Sequence, residues 1–136
     1  MSVQLSSPDG LFQPVPYHHV AVATGSRFVS VAGQIDRDGD GAATGGDDLA
    51  AQTAAAIRNA ARALAGVGAG FDDAVRLRFY AARFEPEHYD AFMAGVESVR
   101  DEVGLPDPMP PASLIGVDLL FQPDVLVELE VDAVLD

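Results

Sequence analysis

From Val125 to Ala133 the chain alternates without interruption. Val125, Val127, Leu129, Val131 and Ala133 fall on one side, and Glu128, Glu130 and Asp132 on the other. Side chains on a strand have a period of two, so this stretch reads as a strand with one buried and one polar face. The fold must lay helices over the apolar row. It must also give three carboxylates in line either solvent or cations from a neighbouring strand, because like charges so placed repel. Pro110 to Val117 reads as a preceding strand, joined to the last by the turn residues Phe121-Gln122-Pro123-Asp124.

The rest of the chain supplies the covers. Val3-Gln4-Leu5 is a short strand candidate, and Pro14-Val15-Pro16 stays extended and outside any sheet centre. Tyr17 to Val22 and Arg27 to Ala32 read as two strands around the turn Thr24-Gly25-Ser26. Gly33 within the second marks a bulge or the close approach of another backbone. Asp36 to Gly46 is a loop, and Asp47 or Asp48 caps a helix over Leu49 to Leu64. Its stripe is Leu49, Thr53, Ala56, Ile57, Ala60 and Leu64, small enough to lie close to a sheet. A strand from Ala74 to Tyr80 puts Val75, Leu77 and Phe79 on one face and Arg76, Arg78 and Tyr80 on the other. Pro86 opens a second helix with the stripe Tyr89, Phe92, Val96, Val99 and Val103, stopped by Gly104 and Pro106. The order β-β-α-β-α-β-β gives an α+β layer, two helices on one face of a sheet of about six strands. Arg76 and Arg78 then face the acidic row as cross-strand ion-pair partners. That polar face is either solvated, which antiparallel sheets tolerate, or covered by a second copy of the chain.

Composition narrows the chemistry. At 136 residues one domain is expected, with a sizeable core. No apolar run approaches the length of a membrane span and no signal peptide is read, so a cytoplasmic protein without a membrane partner is expected. The absence of cysteine excludes thiolate nucleophiles and thiolate-bound zinc. All eight basic residues are Arg, so no lysine can form a Schiff base. A net charge of −13 repels phosphate backbones and disfavours nucleic acid as a partner.

Two motifs invite a metal. Asp36, Asp38, Asp40 and Gly41, with Asp47 in the twelfth place, nearly fit a calcium loop. A strand precedes it, however, the last ligand is Asp where Glu is usual, and Arg37 puts a cation inside; a solvated loop is favoured. His18 and His19 point to opposite faces of a strand and cannot chelate one ion. His88 is the only other imidazole, so no metal site is expected. No strained G-x-S-x-G elbow or phosphate-binding glycine loop is found.

Several short motifs in order resemble a known family. Pro16-Tyr17 before a strand and Val31-Ala32-Gly33-Gln34-Ile35 resemble the P-Y-S and S-G-Q-I signatures of the RidA/YjgF (Rid) family. Gln52-Thr53 with Asn59 and Leu64 resembles its Q-T…N…L helix. Asp73-Ala74-Val75, Pro111-Ala112-Ser113 with Gly116-Val117, and Val127 to Ala133 continue the match over nearly the whole chain. The resemblance implies a single Rid-like domain over residues 1–136 with a chorismate-mutase-like α+β fold. Its sheet would be mixed, with about six strands and two helices packed on one face. It also implies a homotrimer with small-molecule clefts between subunits. Active members hydrolyse enamine or imine intermediates to 2-keto acids and ammonia without a cofactor. The endoribonuclease label that travels with the family is disfavoured here by charge.

Carried over by position, Tyr17 and Glu128 take the catalytic places, and Gly33, Ala112, Ser113 and Met93 those that bind substrate. The arginine that grips the substrate carboxylate does not carry over. The family's P-A-R-S reads Pro-Pro-Ala-Ser, so its place falls on Ala112 or Ser113. Ala32 stands for the serine before the glycine, and Met93 for an asparagine. Losing the guanidinium removes a charge-assisted pair of about 1.5–3 kcal/mol, on the order of a hundredfold in rate or affinity. A ligand with a free carboxylate is therefore disfavoured. Three readings stay open: an imine-hydrolysing trimer for an uncharged or non-carboxylate metabolite; a ligand-binding or scaffold trimer without chemistry; and an ordinary 2-imino-acid deaminase with Arg76 or Arg78 as substitute, for which the acidic row competes. The structural alternatives are a packed tyrosine at 17 and an ion-pair partner at 128.

Overall fold

The computed structural model describes residues 3–136. The elements run β1 (Val3–Ser6), β2 (Val20–Ala23), β3 (Arg27–Gln34), α1 (Leu49–Ala65), β4 (Ala74–Ala82), α2 (Tyr89–Val103), β5 (Ala112–Val117) and β6 (Val127–Leu135). The six strands divide between two sheets. Four form a mixed sheet in the order β3-β6-β4-β5, and β1 and β2 form a separate antiparallel ribbon. The alternating final strand lies inside the larger sheet, antiparallel to β3 on one side and β4 on the other. Val127, Leu129, Val131 and Ala133 are wholly buried beneath the helices. The strand of continuous alternation is thus the one whose two faces meet the most different surroundings.

Local chemistry sets the helix ends. The Asp48 carboxylate caps α1 by accepting from the N–H groups of Ala50 and Ala51 at 2.9 and 3.3 Å. A short 3-10 turn, Pro86–His88, leads into α2, which ends at Gly104 with φ +71°, a left-handed cap that favours glycine. The helices pack closely at Gly95, where a Cβ would lie 2.5 Å from the Ala50 carbonyl oxygen. The stripe on α1 is buried from Thr53 to Leu64, and Phe92 of α2 meets Phe79 of β4 edge to face at 4.9 Å. Tyr89, expected in the core stripe, is 41% exposed at the start of its helix.

Two expected strand relations differ. The strands around Thr24-Gly25-Ser26 do not pair with each other: β2 joins β1, and β3 joins β6. Gly25 passes over the end of β6, where a Cβ would sit 2.4 Å from the Leu135 carbonyl oxygen. Tyr17 to His19 precede β2, held by a parallel bridge between Tyr17 and Met109. The strands linked by Phe121 to Asp124 are not neighbours either. β5 lies at the edge, parallel to β4, and α2 makes the crossover that a parallel pair requires.

Candidate functional site

The open face of the sheet sorts the three carboxylates into different states. Arg78 pairs with Asp132 at 3.1 Å and stands 3.8 Å from Glu130. The Ser30 hydroxyl also donates to Asp132, at 3.0 Å, and the Tyr80 hydroxyl donates to Glu130, at 2.9 Å. That bond to Glu130, with burial, raises the Tyr80 pKa. Glu128 receives no hydrogen bond from the described residues. Burial, and then the neighbouring charge of Glu130, push its pKa above the usual carboxylate range. Ion pairing across the face is therefore realised through Arg78, whereas Arg76 donates to the Ser113 hydroxyl at 2.6 Å.

Gly33 and Glu128 come together. β3 slips in register between Val31 and Gln34, the irregularity expected at that glycine. The Glu128 side chain, and not a backbone, occupies the space: a Cβ on Gly33 would lie 2.1 Å from Glu128 Oε2. Tyr17, Met93, Ala112 and Ser113 meet elsewhere. They border a recess of about 70 Å³ together with Phe79, Tyr89, Phe92, Met109 and Leu114. Ala112 pairs with Leu77, whose side chain is on the helix-covered side, while Tyr80 pairs with Glu128 on the open side. Within one chain the recess side chains of Tyr17, Met93 and Ala112 thus lie on the side of the sheet opposite Glu128, while Ser113, the register partner of Arg78, turns its hydroxyl to the open side. Tyr89 and Met109 escaped the sequence reading because an aromatic or Met at helical or loop spacing is ordinarily core.

Other singled-out residues hold the scaffold. Gln52 is buried, donates to the Gly46 and Asp124 carbonyls at 2.7 and 2.9 Å, and accepts from Leu126 N–H at 2.9 Å. Asn59 donates to the carbonyls of Ile35 and Arg37 at 2.8 and 2.9 Å. Asp36 is turned inward and is 1% exposed. It accepts from the Thr44 hydroxyl and from the N–H groups of Thr44 and Gly45. Burial opposes its charge most strongly, but those hydrogen bonds and Arg37 together hold its pKa below the usual value. Asp38 closes the same loop by accepting from Asp40 and Ala42 N–H. Among the described residues, no three His, Asp or Glu stand close enough to hold one ion. His19 bonds the Phe12 carbonyl, and His88 accepts from Glu85 N–H, so neither imidazole reaches the recess or Glu128.

Comparison with known proteins places this geometry. The sequence model of the family described as Endoribonuclease L-PSP matches residues 12–135. A protein of the conserved Rid family, YyfB from Yersinia pestis, is 31% identical over 99% of this chain and 100% of its own, with a TM-score of 0.87. A Mycobacterium tuberculosis member of the YjgF/YER057c/UK114 family is 29% identical over 98% of this chain and 100% of its own, with a TM-score of 0.61. Escherichia coli TdcF, solved with bound serine, shares the fold at 20% identity over 100% of this chain and 99% of its own, with a TM-score of 0.68. No curated protein matches the chain.

Proposed function

The chain belongs to the Rid/YjgF family, described as Endoribonuclease L-PSP, and on that premise we propose that it works as a homotrimer with a small-metabolite cleft at each subunit interface. One wall is the recess bordered by Tyr17, Met93, Ala112 and Ser113; the other is the Gly33–Glu128 edge of the neighbouring copy. The observation that carries this reading is the separation of the apolar recess and Glu128 on opposite sides of one sheet. A second copy packed against the open face joins what one chain keeps apart. The half-exposed ion pairs and the 71% exposed Phe28 on that side support burial by a partner.

The chemistry proposed is hydrolysis of an enamine or imine. Water adds to the C=N carbon, ammonia leaves, and a carbonyl remains. Glu128, free of hydrogen-bond partners among the described residues and with a raised pKa, suits the proton transfers between water and the departing nitrogen. No cofactor enters these steps, and Tyr17 orients the ligand from the opposite wall. RNA cleavage is disfavoured, because a charge of −13 with scattered arginines gives no footprint for a phosphate backbone. Among the described residues no helix is long and apolar enough to cross a membrane.

The test is a coupled assay generating 2-iminobutyrate, run with wild type and Glu128→Gln. Imine loss faster than the uncatalysed reaction, but slower than with an arginine-bearing homologue, is expected, and it should disappear in the variant. Ligand-induced thermal stabilisation without acceleration would instead make it a ligand-binding or scaffold trimer without chemistry, as the absence of arginine at 112 and 113 favours. The lack of both effects would overturn the cleft.

A further inference from the structure

We propose that the hollow where β4 leaves the sheet is a second small-molecule site, and that it takes an α-amino acid with an aliphatic side chain in its zwitterionic form. The hollow measures about 340 Å³, within the roughly 300–1,000 Å³ of small-molecule sites. It lies between the first residues of α1 and the turn that leads into α2, and all its walls come from one chain. It shares no bordering residue with the Tyr17–Met93–Ala112 recess, and neither Gly33 nor Glu128 borders it.

Opposite charges border this hollow without meeting. Asp47 and Arg83 both line it, yet neither has an ion-pair partner within 4.0 Å among the described residues. The cap of α1 is made by the neighbouring Asp48, which leaves the Asp47 carboxylate unused. Arg83 commits one of its five N–H donors to the Pro123 carbonyl, at 3.3 Å. His88 supplies a third polar group. Its Nδ1 accepts from the Glu85 N–H at 2.9 Å, so the proton of the neutral ring sits on Nε2, which is left to donate.

The backbone supplies a second, independent sign. Among the described residues Arg83 is the one non-glycine with positive φ, at +51°. That region crowds a Cβ against the next carbonyl, a strain that glycine would escape. The chain is held there on both sides: Ala82 N–H donates to the Leu126 carbonyl at 2.9 Å, and Arg83 N–H to the Val117 carbonyl at 2.8 Å. The fold imposes the conformation, and the sequence fills it with a long cationic side chain; such outliers gather at ligand clamps.

The lining then selects the ligand. Leu49, Phe84 and Leu126, all half-buried, give the apolar wall. A molecule that satisfies both charges must carry both: an anion for Arg83 and His88, an ammonium for Asp47, and a short hydrocarbon body. Being neutral overall, it is not repelled by a net charge of −13, as a bare anion is. A cation alone would leave Arg83 unmatched, and no three carboxylates or imidazoles gather here to hold a metal.

Calorimetric titration of the full chain compares L-leucine with 4-methylpentanoate, which lacks the ammonium, and with 3-methylbutylamine, which lacks the carboxylate. Leucine is expected to bind at least about tenfold more tightly than either. Arg83→Gly removes the fork and relieves the left-handed strain. It should therefore melt no lower than wild type while binding leucine at least about tenfold more weakly. Asp47→Asn should bring leucine down to the level of 4-methylpentanoate, and Glu128→Gln should bind leucine as wild type does. Failure of wild type to bind leucine, or equal affinity for either analogue, would overturn the proposal without recourse to a variant. So would undiminished binding by Arg83→Gly. Binding that Glu128→Gln abolishes and Arg83→Gly spares would put the amino acid in the intersubunit cleft and overturn the second site.

Discussion

The two faces of β6 contrast in what they lack. On the helix side, Val127, Leu129, Val131 and Ala133 are fully buried by α1, α2 and their own sheet, so the surface is finished within one chain. On the other side, Glu128, Glu130 and Asp132 stand at the same spacing, half-buried, with two carboxylates partnered and one not. The residue pattern is equally regular on both faces. What differs is whether a single copy can complete the contacts. The dry face therefore governs stability, and the open face governs assembly and ligand chemistry.

The contrast is tested most forcefully on the dry face. Leu129→Ala should lose about 2–5 kcal/mol of unfolding free energy in urea titration, since it empties a filled core site. Glu130→Ala, its neighbour on the open face, should lose no more than about 1 kcal/mol. Equal losses would erase the distinction. Gln52→Ala should cost about 2–3 kcal/mol, because it strands two carbonyls and one N–H of the loops that α1 ties to β6.

Two carboxylates sharpen the contrast through pH. Asp36 has its folded pKa depressed, so its contribution is present above the unfolded value of about 3.9 and is lost as pH falls through the folded one. Asp36→Asn should thus cost about 1–2 kcal/mol at neutral pH, with the gap to wild type closing below about pH 4 in thermal melts. Glu128 has its pKa raised, so the sign reverses: ionisation is penalised in the folded state at higher pH. Glu128→Gln should be more stable than wild type at neutral pH by about 0.5 kcal/mol or less, an advantage that fades on acidification. Gly33→Ala should change stability by no more than about 0.5 kcal/mol, because Glu128 can swing away and φ there is not left-handed. It should nevertheless abolish any thermal shift produced by ligand, since the carboxyl is displaced.

Much of this was readable from residues. The alternation of β6, the Asp48 cap, the Gly104 stop and the α1 stripe are local signals, and local chemistry decides them. Strand partners were less legible: nothing in Tyr17 to Ala32 tells that β2 turns to β1 while β3 crosses to β6, because pairing is a long-range choice. Asp36 looked like its acidic neighbours, yet only it is turned inward, as burial depends on how Thr44 and Gly45 fold back. Glu128, Glu130 and Asp132 were interchangeable in sequence. Their separation into one free and two partnered groups comes from diagonal reach: Tyr80 lies opposite Glu128 and Arg78 opposite Glu130, yet each bonds the next carboxylate along, Glu130 and Asp132. The same diagonal reach gives Asp132 to Arg78 and leaves Arg76, which the sequence grouped with it as a partner of the acidic row, to bond Ser113.

Light scattering coupled to size-exclusion chromatography at micromolar concentration decides the matter most directly. Copies that close over the open face predict a particle of three times the 14.2 kDa chain mass. A lone 14.2 kDa particle would leave Glu128 and the recess on opposite sides of a sheet, with no second wall to unite them.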